Sequence, residues 1–279
     1  MKPAPFDYVR ADSVEHAVAQ LAAANGQGEG KVIAGGQSLM PLLALRLAQP
    51  SVLVDINRVP GLDAIATRPG GGLRIGALAR HRALAVQDGH PLLADAARWI
   101  GHAAIRTRGT LGGSLAHADP AAELPVVAAA SGAVPLVAGP DGRRDIPAAD
   151  LFAGALQTSL HDDELIEAVE FPPPARWGFA EFARRHGDFG LVVVAVAEVD
   201  GRLRLALGGV AATPVRSATA EAVLAGGWLS PARIGEAAEA AAREIEPGGD
   251  IHATAAYRRQ LTRVLVTRAL ARATGAQGA

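Results

Sequence analysis

Ile105 to Ser114 reads I-R-T-R-G-T-L-G-G-S and runs on as L-A-H-A-D-P-A-A-E-L-P to Pro125. A second glycine pair stands earlier, where Ala34 to Ser38 reads A-G-G-Q-S behind a short apolar run, Lys31-Val32-Ile33-Ala34. Paired glycines turn successive backbone N–H groups toward one point and let a bulky anion approach the chain. Ser38 and Ser114 add hydroxyl donors, and a helix entered at Ser38 adds its positive end. A pyrophosphate carries two anionic groups and suits two such loops facing one another, although either pair alone reads more readily as a tight turn. Neither loop contains G-x-G-x-x-G or a Walker lysine, which argues against a Rossmann dinucleotide site and a P-loop.

Working outward from the first pair, Ser13 is placed to cap a helix with Val14, Ala17, Val18 and Leu21 at helical spacing, ending at Asn25-Gly26. Ser38 to Leu47 is helix-compatible, with Pro41 tolerated in the first turn, and Ser51 to Ile56 is a second strand. This alternation suggests a small parallel βαβ unit. From Arg58 onward the pattern predicts a strand at Leu73–Ala77, a helix at Pro91–Ile100 and a glycine-punctuated loop at Arg106–Asp119. An Ala-rich helix over Ala121–Ser131, a hairpin through Pro140-Asp141-Gly142 and a strand over Glu164–Phe171 follow.

Pro172-Pro173-Pro174 is the clearest boundary, since three prolines sit in neither helix nor sheet. It divides the chain into 1–173, itself in pieces of about 1–57 and 58–173, and 174–279. In the second part Phe179–Arg185, Leu191–Val199 and Arg202–Val210 read as three strands, with Asp200-Gly201 turning the last two. Helices over Ala218–Leu224, Pro231–Ile245 and Thr254–Ala273 close the chain. The fold class expected is α+β.

The 279 residues include 61 alanines and 32 glycines but few aromatics, so the core is built from small and β-branched side chains. With no cysteine, the chain has no disulfide framework, no iron–sulfur cluster on its own thiolates and no Cys-based zinc site. Electrons passing through it need a carrier held non-covalently or belonging to a partner. A formal charge of −1 without charge blocks argues against nucleic acid. The absence of an apolar h-region or a membrane-length apolar run gives the expectation of a cytoplasmic chain without a membrane span.

F-D-Y near the start, A-G-G-Q-S-L-M-P-L-L, I-G-A-L-A, I-R-T-R-G-T-L-G-G-S, D-P-A-A-E-L-P and R-x-x-G-D-F together cover nearly the whole chain. In these the sequence resembles the FAD-binding medium subunit of the molybdenum hydroxylases, the xanthine dehydrogenase and carbon monoxide dehydrogenase family. The resemblance implies a vanillyl-alcohol-oxidase-like FAD-binding domain followed by a small three-stranded sheet with helices. It implies non-covalent FAD held by Val32, Ile33, Ala34, Gly35, Gly36, Gln37, Ser38 and Leu39 and by Thr110, Leu111, Gly112, Gly113 and Ser114, chiefly through backbone amides. Ser114 stands where many relatives have Asn. Glu123, at a position usually Asp, would order the adenosine end, Leu165 would meet adenine through its backbone, and Ile100 would lie beside the flavin ring. Phe189 would lie on a loop over that ring, and Ala180-Glu181 stands where some relatives carry a lysine. The implied partners are a small subunit with two 2Fe–2S clusters and a large molybdopterin subunit, as a dimer of heterotrimers. The implied role is to take electrons from the clusters and pass them to an external acceptor.

Other constellations are weaker. His117, Asp119 and Glu123 have metal-ligand chemistry but no second histidine at ligand spacing. Ser159, His161 and Asp162 lack the nucleophile elbow. Arg184, Arg185 and Asp188 read as a structural ion pair beside a turn. No residue reads as a general base or nucleophile. The rival functions are a self-sufficient vanillyl-alcohol-type flavin enzyme, which needs its own substrate pocket, and an assembly subunit that has lost FAD.

Overall fold

The computed structural model describes residues 2–25, 28–225 and 229–275. Gly26, where the first helix is expected to end, lies outside the described residues. The chain is a mixed α/β structure with three main sheets.

The first 55 residues form β1 (Asp7–Arg10), α1 (Val14–Ala24), β2 (Gly30–Ile33), α2 (Leu39–Ala44) and β3 (Val52–Asp55). The Ser13 hydroxyl accepts the His16 amide at 3.1 Å and starts α1, which buries Val14, Ala17, Val18 and Leu21. β1 and β2 flank β3, and both pairings are parallel. The sheet therefore has one strand more than the expected βαβ unit. β1 has no buried residue, so no apolar alternation announces it.

The next segment contains β4 (Ile65–Thr67), β5 (Leu73–Gly76), α3 (His81–Leu84), α4 (Pro91–Trp99), α5 (Ala103–Arg106), α6 (Leu111–His117) and α7 (Glu123–Ser131). It continues with β6 (Val134–Gly139), β7 (Gly142–Asp145), α8 (Ala148–Leu151), β8 (Phe152–Gly154), β9 (Gln157–Thr158) and β10 (Leu165–Phe171). Five strands pair antiparallel in the order β4-β5-β10-β6-β7. Within the expected loop at Arg106–Asp119, Leu111–His117 is instead the helix α6, and α5 ends at Arg106. Thr110 caps that helix, and the glycines that lower its intrinsic propensity mask it in the sequence.

Every residue of α7 is buried, because the helix lies between α4 on one side and the second part of the chain on the other. That part is β11 (Trp177–Phe182), β12 (Val192–Val199), β13 (Arg202–Gly208), β14 (Val215–Arg216), α9 (Ala218–Leu224), α10 (Pro231–Glu244) and α11 (Ala255–Ala273). Its sheet has four strands, not three. β14 contributes two residues, opposite Ala206 and Leu207, too few for a readable pattern. The first strand ends at Phe182, short of the expected Arg185.

Alternation along β12 splits between two cores. Val193, Ala195 and Ala197 join the core that contains α7, whereas Val192, Val194 and Val196 pack with α10 and α11. Arg272 ties the parts at another point, donating to the Phe179 carbonyl at 2.6 Å and pairing with Asp95 of α4 at 3.3 Å. Among the described residues no helix is long and apolar enough to cross a membrane.

Candidate functional site

β2 delivers Val32 and Ile33, both half-buried, to the loop beginning at Ala34. Gly35 has no room for a side chain, since a Cβ would stand 2.3 Å from the Arg108 carbonyl oxygen. Gly36 takes φ +72°, the left-handed region where glycine is favoured. Gln37 donates its side-chain amide to the Gly35 carbonyl at 3.2 Å, and Met40 N–H closes the loop onto the Gly36 carbonyl at 3.0 Å. Among the described residues, the backbone N–H groups of Gly35, Gly36, Gln37, Ser38 and Leu39 have no acceptor in the chain. Ser38, just before α2, makes no side-chain cap bond.

The second glycine pair is built differently. The Leu111 amide donates to the Ala79 carbonyl at 3.0 Å, Gly112 to Ala77 at 2.9 Å, and Ser114 to Thr110 at 3.0 Å. Gly113 N–H donates to the Thr110 hydroxyl at 3.1 Å. Four amides expected to face an anion are thus committed inside the chain, because this segment is the first turn of α6 rather than an open loop. Its glycines supply space instead. A Cβ on Gly112 would lie 2.5 Å from the Ala77 Cβ, so Gly112 is where α6 meets β5. Gly113 is exposed, and a Cβ there would point toward Ala34 at 4.0 Å. The half-buried Ser114 hydroxyl makes no hydrogen bond among the described residues, so the two segments together leave five unpaired amides in one loop and an unpaired hydroxyl beside an exposed glycine in the other.

A polar clamp holds the two segments together. Asn57 donates to the Ala34 carbonyl and to Asp55 Oδ1, both at 2.7 Å. Arg80 donates to Asn57 Oδ1 at 2.7 Å and, with another nitrogen, to the Arg108 carbonyl. Tyr8 O–H donates to the other Asp55 oxygen. Beneath α6, His81 is buried and its Nε2 lies 2.9 Å from the Thr110 carbonyl. Burial pushes its pKa down to about 4, so the ring is neutral at pH 7 and donates through Nε2–H. None of Asn57, Arg80 or His81 is singled out by the sequence. Each follows a strand in an unremarkable polar pair, and one arginine in so Arg-rich a chain carries no signal.

The remaining expected residues are spread around this centre. Ile100 ends α4 and is buried, its carbonyl held by Arg106 at 2.9 Å. Trp99 beside it approaches His186, and a Cβ on Gly187 would touch the His102 ring, so the Arg184–Phe189 turn packs over this end. Phe189 is exposed. Arg184 bonds His252 Nδ1 at 2.8 Å, not Asp188, so the expected ion pair is replaced by a contact to the segment before α11. Leu165 begins β10 opposite Ala138 and shares a core with Leu78, against which Val32 and Ala34 pack. Glu123 opens α7 and is buried, with its pKa raised first by desolvation and further by Asp119. Among the described residues no cluster of three or more His, Cys, Asp or Glu could hold a metal.

Comparison with known proteins gives two family matches that together span almost the whole chain. Residues 4–174 match the FAD binding domain in molybdopterin dehydrogenase, and residues 177–273 match the CO dehydrogenase flavoprotein C-terminal domain. The nicotine 6-hydroxylase medium subunit of Paenarthrobacter nicotinovorans is 43% identical over 98% of this chain and 99% of its own length. A chain of carbon monoxide dehydrogenase from Hydrogenophaga pseudoflava superposes with TM-score 0.93 at 35% identity, covering 99% of each chain. One from quinoline 2-oxidoreductase of Pseudomonas putida 86 gives TM-score 0.91 at 37% identity over 100% of each.

Proposed function

This chain belongs to the family of FAD-binding medium subunits of the molybdenum hydroxylases, and from that premise we propose that it is the electron-relaying flavoprotein of such a complex. The observation that carries the reading is the run of five unpaired amides at Gly35–Leu39, clamped beside Gly113 and Ser114. Donors without partners, next to a glycine surface open to a large ligand, fit a pyrophosphate.

In this reading Val32 to Leu39 hold the pyrophosphate and neighbouring ribitol, and Thr110 to Ser114 shape the opposite wall. Gly112 and Gly113 act there by close approach and Ser114 by its hydroxyl. Glu123 orders the adenosine end, Leu165 meets adenine through its backbone, and Ile100 borders the flavin ring. The fold is of the vanillyl-alcohol-oxidase type over 1–173, with 174–279 covering it. When bound, FAD supplies redox chemistry between 2Fe–2S clusters on a small partner subunit and an external acceptor. The organic substrate is hydroxylated on a large molybdopterin subunit. The assembly is a cytoplasmic dimer of heterotrimers.

Purified full-length chain is expected to bind one FAD, released completely into the supernatant by mild acid. The organic substrate of the complex is expected to leave the isolated flavoprotein oxidised and to bleach its flavin band once the partner subunits are added under anaerobic conditions. Rapid bleaching of the isolated chain by that substrate would favour a self-sufficient flavin enzyme instead.

A further inference from the structure

A cleft of about 740 Å³ opens at the edge of the four-stranded sheet in the second part of the chain. It lies where β14 stops. That strand covers only Ala206 and Leu207 of β13, and the cleft is lined by the residues left beyond it, Gly201 to Arg204, with Leu224 and Ala225 at the end of α9. Four arginines stand on its wall, Arg176, Arg202, Arg204 and Arg216, against two carboxylates, Glu198 and Glu221. No residue of either glycine segment lines it.

The two carboxylates are turned inward and the guanidiniums outward. Arg176 Nε donates to Glu198 at 2.5 Å, with 37% of the arginine side chain exposed and 16% of the glutamate. Arg216 Nε donates to Glu221 Oε1 at 3.0 Å, and the exposures are 41% and 18%. Glu221 Oε1 also accepts the Leu205 N–H at 3.0 Å, so this carboxylate finishes the sheet edge as well as holding its arginine. Each pair leaves further guanidinium N–H groups unused, since an arginine carries five.

The other two arginines have no carboxylate at all. Among the described residues Arg202 has no hydrogen-bond or ion-pair partner, and Arg204 has only the neutral Ser131 carbonyl, at 3.2 Å from Nη1. Gly132, at φ +66°, leaves no room for a Cβ beside that guanidinium, so the end of α7 is shaped to seat Arg204. Arg202 lies opposite Val199 and Arg204 opposite Ala197, which puts both on one face of β13, about 7 Å apart along the strand. The carbonyl end of α9 offsets only part of this positive charge. The cleft is thus cationic in a chain whose formal charge is −1.

Guanidinium forks take phosphate or carboxylate oxygens two at a time, and the volume is that of a small-molecule site. We propose that this cleft binds a small polyanion with at least two acid groups, held by Arg202 and Arg204 and flanked by the outward N–H groups of Arg176 and Arg216. The shared chemistry is that of a diphosphate or a polycarboxylate. The site stands apart from the glycine segments and does not depend on the flavin reading.

The test is calorimetric titration of the full-length chain, saturated with FAD so that the glycine segments do not compete, at constant ionic strength. Inorganic pyrophosphate is the probe in one series and citrate in the other. Saturable binding of one probe per chain is expected, pyrophosphate marking a phosphate ligand and citrate a polycarboxylate. Arg202→Gln removes an exposed, unpartnered charge and is expected to weaken binding by about tenfold with an unchanged melting temperature. Arg204→Gln is expected to weaken it as much and to lower the melting temperature, because the Ser131 carbonyl loses its donor. Arg268→Gln, exposed on α11, is expected to bind as wild type does. Absence of saturable binding with both probes would overturn the proposal. So would binding that Arg202→Gln leaves intact, or that Arg268→Gln weakens equally, which would mark a general attraction to an Arg-rich surface. A chain that takes up no FAD would sink the flavoprotein reading and leave this one standing, since loss of probe binding in Arg202→Gln reports on the cleft alone.

Discussion

Arg80 donates a guanidinium N–H to the side-chain oxygen of Asn57 at 2.7 Å, and through these two residues the glycine segments are fixed to each other. Asn57 passes the connection to the Ala34 carbonyl, and Arg80 passes it to the Arg108 carbonyl. Asn57→Ala removes bonds to Ala34 and Asp55 and leaves part of Arg80 without its acceptor. The expected cost is about 1–3 kcal/mol in urea unfolding, together with a weakening of FAD by about tenfold. Equal midpoints and equal FAD affinity for mutant and wild type would show that the clamp does not set the loops.

The four glycines have separable jobs. Gly112→Ala drives a methyl to 2.5 Å from the Ala77 Cβ, so its effect falls on the packing of α6 against β5. A loss of about 1–3 kcal/mol is expected from overpacking. Gly113→Ala meets only the Thr110 hydroxyl at 2.7 Å within the fold and otherwise points into the opening toward Ala34. Its stability cost is expected to stay near that of a weakened cap, about 1 kcal/mol, while FAD affinity falls much further. Thermal melts of the apo chains beside flavin titrations separate the two. A Gly113→Ala chain with full affinity would remove that glycine from the site.

Gly36→Val tests the open loop alone. At φ +72° a β-branched residue is strained by about 1–3 kcal/mol, and its side chain crowds Met40. The unpaired amides of Gly35–Leu39 are expected to be displaced and the chain to lose its flavin, with the sheets intact by circular dichroism. Full flavin occupancy in this variant would mean that the loop is only a turn.

What the sequence reveals here follows physical visibility. The long strands and helices of the second part are legible because eight-residue runs such as Val192–Val199 and capped helices such as Pro231–Glu244 carry their own signals. β1 and β14 are hidden because one has no buried face and the other only two residues. The glycine pairs are visible as places where backbone comes close to something. Whether that something is a ligand or another strand is not written in them, and Gly112 against Ala77 is the second kind. Thr110, which converts the second loop into a helix start, is an N-cap readable only once α6 is known. The clamp residues and the arginines of the cleft depend on contacts between segments far apart in the chain, which no local pattern records.

Acid is expected to destabilise the fold through its buried histidines. His90 caps α4 by accepting the Leu93 amide at Nδ1 (3.2 Å) and lies edge-on to Phe171, wholly buried. Burial pushes its pKa from 6.5 down to about 4, and His81 behaves alike. A folded-state pKa below the unfolded one means that the unfolded chain binds the proton first. The contribution is therefore complete above pH 6.5 and is lost as pH falls toward 4, up to about 3 kcal/mol for each ring. The buried carboxyls of Glu123 and Glu181 act in the opposite sense. Their raised folded values give stability that is present below about 4.5 and lost as pH rises through them. The histidine part is isolated by comparing wild type with His90→Asn, which keeps an N-cap acceptor but cannot take up a proton in this range. The variant is expected to start less stable at pH 7 and to close the gap by up to about 3 kcal/mol on the way to pH 4. Urea midpoints that run parallel for the two proteins across that range would show that His90 is not held neutral by the fold.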